Sequence, residues 1–159
     1  MINDNVRLDH VYIGRGNFRN FSGKIKDTNK SGARMFTIML PEALAAELEE
    51  IGWHIRHRPP YREGDDPQHL LDITIHFDWR PTVVTLISHD GEKVNLNEES
   101  ISILDSTDIE DATVEFYPYN WNVNGKTGAK AILQELIVKA KPPRRSLNAQ
   151  LYSKDDEPF

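Results

Sequence analysis

Apolar and polar residues alternate along most of this chain, which is the signature of strands with one buried face. LLDITIHF sets Leu71, Ile73, Ile75 and Phe77 on one side and Asp72, Thr74 and His76 on the other, and MFTIML does the same with Phe36, Ile38 and Leu40. Comparable patterns predict strands over 6–13, 17–25, 53–57, 82–88, 112–117 and 129–138. Helix signals are few. PEALAAELEE begins with Pro41 and Glu42, carries Leu44, Leu48 and Ile51 on one stripe and stops at Gly52; a second short helix is predicted over 97–104 with Asn97 as cap. Turns are predicted at NKSG, HDG and NGKTG, and RPPYREGDDPQ reads as a polar loop. Many short strands with little helix predict a mainly β fold. An OB-like β-barrel is the expectation because closure removes exposed edges, with a sandwich as the alternative that periodicity leaves open.

Length and composition narrow this to one domain. With 159 residues and 38% hydrophobic residues the chain can bury one core, and it holds no apolar run of membrane-spanning length. MINDNVRLDH has no basic and apolar regions of a secretory signal, and there is no cysteine. The absence of cysteine excludes disulfides, thiolate catalysis and cysteine-ligated zinc, and a cytoplasmic location is expected.

The net charge of −6 argues against a polyanionic partner until its distribution is read. Cations gather between Arg7 and Arg34 and again between Lys126 and Arg145, while acids collect at 42–50, at 90–115 and in the last residues. A polyanion meets the local field rather than the sum. In GRGNFRNFSGKIK, rings alternate with Arg15, Arg19, Lys24 and Lys26, and Arg34 follows; FYPYNWNVNGKTGAK brings Tyr119 and Trp121 to a turn beside Lys126 and Lys130. Aromatic faces stack on bases while cations neutralise phosphates. Phe18 and Phe21 are three apart, so in a regular strand one is exposed and one is buried, and the sequence does not say which. The phosphate candidates are Arg15, Arg19, Lys24, Lys26, Arg34, Lys126 and Lys130. The stacking candidates are Phe21, Trp79, Tyr119 and Trp121, with Trp79 carrying the inward parity of Phe77.

Other chemistries find no constellation. A phosphate loop would need glycine where Asn120 stands, and a dinucleotide fingerprint would need it at Arg19. His54 and His57 project to opposite faces of a strand, and Asp72 and Asp78 have no nucleophile, base and orienting partner beside them. No metal, no cofactor and no catalysis are expected.

KPPRRSLNAQLY reads as a linker and SKDDEPF as an acidic segment that cannot fold alone. SKDDEPF resembles the acidic C-terminal tip of bacterial single-stranded DNA-binding proteins. NFRNFSG, RMFTIML, PTVVTLIS and YNWNVNGKTGAKAIL give the body a resemblance to the OB-fold single-stranded DNA-binding proteins of phages. The resemblance implies an OB-like single-stranded DNA-binding domain over 1–140 and a linker with a protein-interaction tail over 141–159. It also implies sequence-independent coating of single strands in phage DNA replication, recombination or repair within the host cytoplasm. Asp155, Asp156, Glu157, Pro158 and Phe159 would recruit replication or recombination proteins, although Glu157 stands where the bacterial tip is usually apolar. The tail would also fold back on the basic groove when DNA is absent. The strongest helix follows an early strand, whereas the OB helix usually lies between the third and fourth. Homo-oligomerisation stays open, as does RNA as ligand, and the rival reading is a phage factor that binds protein and imitates DNA.

Overall fold

The computed structural model describes residues 2–26 and 29–142. It is a mainly β, OB-like fold with ten strands in a single sheet. In chain order these are β1 (Val6–Leu8), β2 (Tyr12–Ile13), β3 (Arg19–Asn20), β4 (Arg34–Leu40), helix α1 (Glu42–Ile51), β5 (Arg56–Arg58), β6 (Gln68–Ile75), β7 (Val83–Ile87), β8 (Lys93–Leu96), β9 (Ile109–Val123) and β10 (Lys126–Ala140). Short 3-10 turns span Gly16–Phe18 and Ile101–Asp105. The main path runs β1-β9-β10-β6-β4-β2; β3 adds to β4, β5 to β6, and β7 pairs with both β10 and β8.

The alternating faces account for the core. Phe36, Ile38, Ile73, Val114, Phe116, Leu133 and Leu136 all point inward and are fully buried. Trp53 meets Phe116 edge to face with ring centroids 4.8 Å apart. A bulge at Gln134 lets Leu133 and Leu136, three residues apart, share the inner face. Helix α1 contributes Ala45 and Leu48 and ends at Gly52, whose N–H bonds the Leu48 and Glu49 carbonyls; Ile51, predicted inward, is exposed. The second helix predicted over 97–104 is instead a turn followed by the 3-10 stretch Ile101–Asp105, and Asn97 accepts from the Glu99 and Ser100 N–H groups in the turn ahead of it.

Elements that the pattern misjudged differ for physical reasons. The strand predicted over 17–25 is only the pair Arg19–Asn20, because the Phe21 and Ser22 N–H groups bond the Asp105 carboxylate and turn the chain away. The strand over 6–13 breaks at His10, which has φ of 56°. β8 escaped notice because its residues, apart from Leu96, are exposed and leave no apolar stripe to read. β9 and β10 run well beyond their predicted limits as one hairpin, closed by Asn124 and Gly125, both with positive φ as a tight hairpin turn requires.

Candidate nucleic-acid interface

The outer face of the sheet is built by register. On β9 the outward positions are Tyr117, Tyr119, Trp121 and Val123, and their partners across β10 are Ile132, Lys130, Gly128 and Lys126. Tyr119 therefore stands opposite Lys130, with the Trp121 ring and Lys126 further along the same surface. Tyr119 is 49% exposed and Trp121 40%, enough to offer a ring face to a base. The Trp121 indole lies across Gly128, where a Cβ would stand 2.4 Å from Cζ2, so only glycine admits this ring position.

The connection from β6 to β7 adds to this strip. After Ile75 the chain folds back over β10, held where Gln134 Nε2 donates to the Pro81 carbonyl at 3.1 Å. It buries Tyr117 and Ile132 despite their outward parity, with the Arg80 guanidinium 4.0 Å from the centroid of the Tyr117 ring. His76 stacks on Trp79 at 3.7 Å with 6° between the planes, and Trp79 lies 5.3 Å from Tyr119. Burial first, then the nearby Lys130 charge, lower the His76 pKa below the ordinary imidazole value, against an opposing pull from Asp78. The stack is thus neutral above that range.

The same face continues across β5, β6 and β4. Phe18 is half-buried and lies over Gly14, where a Cβ would sit 2.6 Å from the Phe18 side chain; the Arg58 guanidinium stands 5.7 Å from the Phe18 ring centroid. Between the two aromatic groups lie Thr37 and Asp72, paired in register, and Arg56, which binds Asp72 with Nε–Oδ2 2.7 Å and Nη2–Oδ1 2.8 Å. From β9 to β4 the face spans about 14 Å at the usual strand spacing.

Four of the candidates from the sequence meet here: Trp79, Tyr119, Trp121 and Lys130, with Lys126 at the hairpin end. Among the described residues neither lysine has an ion-pair partner. Lys24, Lys26 and Arg34 lie off the strip, where the β3–β4 connection leaves the sheet; both lysines are exposed, whereas Arg34 Nη1 donates to the Phe21 carbonyl at 2.8 Å. Arg15 is exposed but 3.6 Å from Asp108, just before β9 and far from the ring-bearing end of that strand.

Two candidates are overturned. Phe21 is fully buried and stacks on Phe36 at 5.0 Å, so it cannot meet a base; Phe18 is the ring left on the surface. Arg19 is 6% exposed, and its guanidinium donates to the carbonyls of Gly14 (2.7 Å), Leu104 (3.1 Å) and Thr107 (2.7 Å), which leaves it no reach to a phosphate. Burial accordingly lowers its pKa. The sequence reading missed Arg56, Arg58, Arg80 and His76. A cation on every second residue in RHR was the signal for the first two, hidden by the proline-rich loop beside it. Asp155, Asp156, Glu157, Pro158 and Phe159 lie outside the described residues.

Among the described residues, no group of three or more His, Asp or Glu side chains is placed to hold a metal ion, and no helix is long and apolar enough to cross a membrane. A family model described as a putative phage ssDNA-binding domain matches residues 2–144. The fold resembles a single-stranded DNA-binding protein from bacteriophage Enc34, with a TM-score of 0.55 at 8% identity over 94% of this chain and 90% of that one. It likewise resembles that protein in complex with ssDNA, with a TM-score of 0.56 at 8% identity over 89% of each chain. At such identity the likeness concerns the fold alone. No curated protein matches.

Proposed function

The chain belongs to the putative phage ssDNA-binding domain family, and from that premise we propose that it coats single-stranded DNA without sequence preference. The observation that carries the reading is the strip in which Trp79, Tyr119 and Trp121 stand beside Lys130 and Lys126 on one outward face. Stacking on exposed rings is indifferent to base identity because every base has a π-face, and each stack contributes about 1–3 kcal/mol. The lysines contribute a salt-dependent term; four neutralised phosphates give a log–log slope of roughly −3 and a loss of about two decades between 50 and 200 mM salt. Catalysis has no part in it.

The biological setting that fits is phage replication, recombination or repair in the host cytoplasm, with Asp155, Asp156, Glu157, Pro158 and Phe159 recruiting partner enzymes. Acidic side chains around one large apolar residue suit a basic-rimmed apolar pocket on such an enzyme. Removing residues 153–159 should tighten DNA binding at low salt, and an unchanged or weaker affinity would count against the fold-back of that segment on the groove.

The experiment is a tryptophan-fluorescence titration with oligo-dT, duplex DNA and oligo-U at two salt concentrations. Quenching by oligo-dT that weakens steeply with salt is expected. No quenching by any nucleic acid would favour the rival protein-binding reading, and equal affinity for oligo-U would widen the ligand to RNA.

A further inference from the structure

The strand-binding face carries a carboxylate near its middle. Asp72 stands on β6 with Phe18 and Arg58 to one side and Tyr119, Trp79 and Lys130 to the other, so an unpaired strand joining the two aromatic groups passes over it. An uncompensated carboxylate here would repel every phosphate that approached. It is compensated on three sides. The Arg56 fork grips both oxygens, at 2.7 and 2.8 Å, and the buried Thr37 hydroxyl donates to Oδ1 at 2.5 Å. Arg56 and Asp72 remain partly open to solvent, with side-chain exposures of 45% and 29%, so the pair is reachable from the groove.

A guanidinium fork fits a carboxylate and a phosphate with the same bidentate geometry, so the two anions are direct competitors for Arg56. The rest of the arrangement allows the exchange. Thr37 stays bonded to Asp72 from the neighbouring strand, and Lys130 precedes Ala131, the register partner of Ile73, which puts it beside Asp72 on the same face. When Arg56 turns to a phosphate, the carboxylate keeps its hydroxyl donor and has an ammonium group nearby.

We propose that Asp72 is an internal competitor that holds Arg56 until a strand's phosphate replaces it, making Arg56 a strand-contact residue and Asp72 the group that limits its affinity. This rests on the single-strand-binding reading. The consequence is a coat that releases readily: each bound phosphate at this position must displace a carboxylate, and departure restores the internal pair. It also disfavours weak anions, because only a ligand held on both sides by stacking presents a phosphate to Arg56 at high local concentration.

Asp72→Asn keeps the shape and the Thr37 contact while removing the charge. Oligo-dT affinity at low salt should rise about three- to tenfold, and the salt slope should steepen by about 0.7, the value for one more net positive charge facing a single strand. Arg56→Gln should weaken binding in the wild-type chain, where it leaves the Asp72 carboxylate without its counter-charge, and in the Asp72→Asn chain it should return both the affinity and the salt slope to about the wild-type values, which a merely structural pair would not do. Should the amide disturb folding by circular dichroism, Asp72→Thr puts a strand-favouring uncharged residue at the same place and carries the same expectation. Unchanged or weaker affinity of the folded variants overturns the competitor role while leaving strand binding intact. A wild-type chain that binds no oligo-dT overturns the functional reading itself.

Discussion

The indole of Trp121 lies across Gly128, its register partner on the opposite strand of the β9–β10 hairpin, so closely that an added Cβ would stand 2.4 Å from Cζ2. The glycine and the ring make a single feature: one strand gives up its side chain so that the other can lay a flat surface along the sheet. Gly128→Ala should force the indole to swing away, shifting its emission and weakening oligo-dT binding several-fold, close to the loss in Trp121→Ala. An alanine variant with wild-type emission and affinity would show that the ring position does not matter for binding.

Trp79 and Tyr119 touch at 5.3 Å and are each nearly half exposed. Trp79→Ala and Tyr119→Ala should each cost about 1–3 kcal/mol of binding, roughly 5- to 150-fold. Phe21 provides the contrast. Being fully buried, it should behave as a core residue, and Phe21→Ala should destabilise folding by about 3–5 kcal/mol. Phe21→Leu, gentler on the fold, should lower the melting temperature and leave oligo-dT affinity within about twofold.

Arg19 and Lys130 separate structural cations from binding ones. Replacing Arg19 with Met strips donors from the carbonyls of Gly14, Leu104 and Thr107, each worth about 1–3 kcal/mol when left buried and unpaired. The melting temperature should fall sharply and the salt slope of the remaining folded protein should not move. Lys130→Ala should do the reverse: near-normal melting, with a slope shallower by about 0.7.

His76 gives a pH dependence of definite sign. Its folded-state pKa is lowered, chiefly by burial, so the unfolded chain binds the proton more readily. Where fewer protons are bound in the native state, stability rises with pH. The contribution is therefore fully present above the ordinary histidine value of about 6.5, declines as pH drops through it, and levels off below the folded-state value. Melting curves between about pH 8 and pH 5 should show a smaller decline for His76→Gln than for the wild-type chain. An identical decline would mean that the His76–Trp79 stack does not carry the proton linkage.

The sequence by itself determined much of what depends on the parity of a strand. Alternation located β4, β6, β9 and β10, and the NGKTG turn marked the hairpin that brings Lys130 to Tyr119. Parity is local, since successive side chains must leave the backbone on opposite sides. What the alternation could not say is which segment covers which face. Phe21 is buried and Phe18 left half-buried at the surface because Asp105, eighty-four positions beyond Phe21, turns the backbone between Asn20 and Lys24. Arg19 is consumed by carbonyls of residues equally remote, and Trp79, although it continues the inward parity of β6, reaches Tyr119 because its segment leaves the sheet and doubles back over β10. Tertiary structure alone also placed Arg56 on Asp72, by inserting a three-residue strand beside β6. These are pairings between distant segments, settled by which surfaces exclude water together, and no local pattern in the chain encodes them.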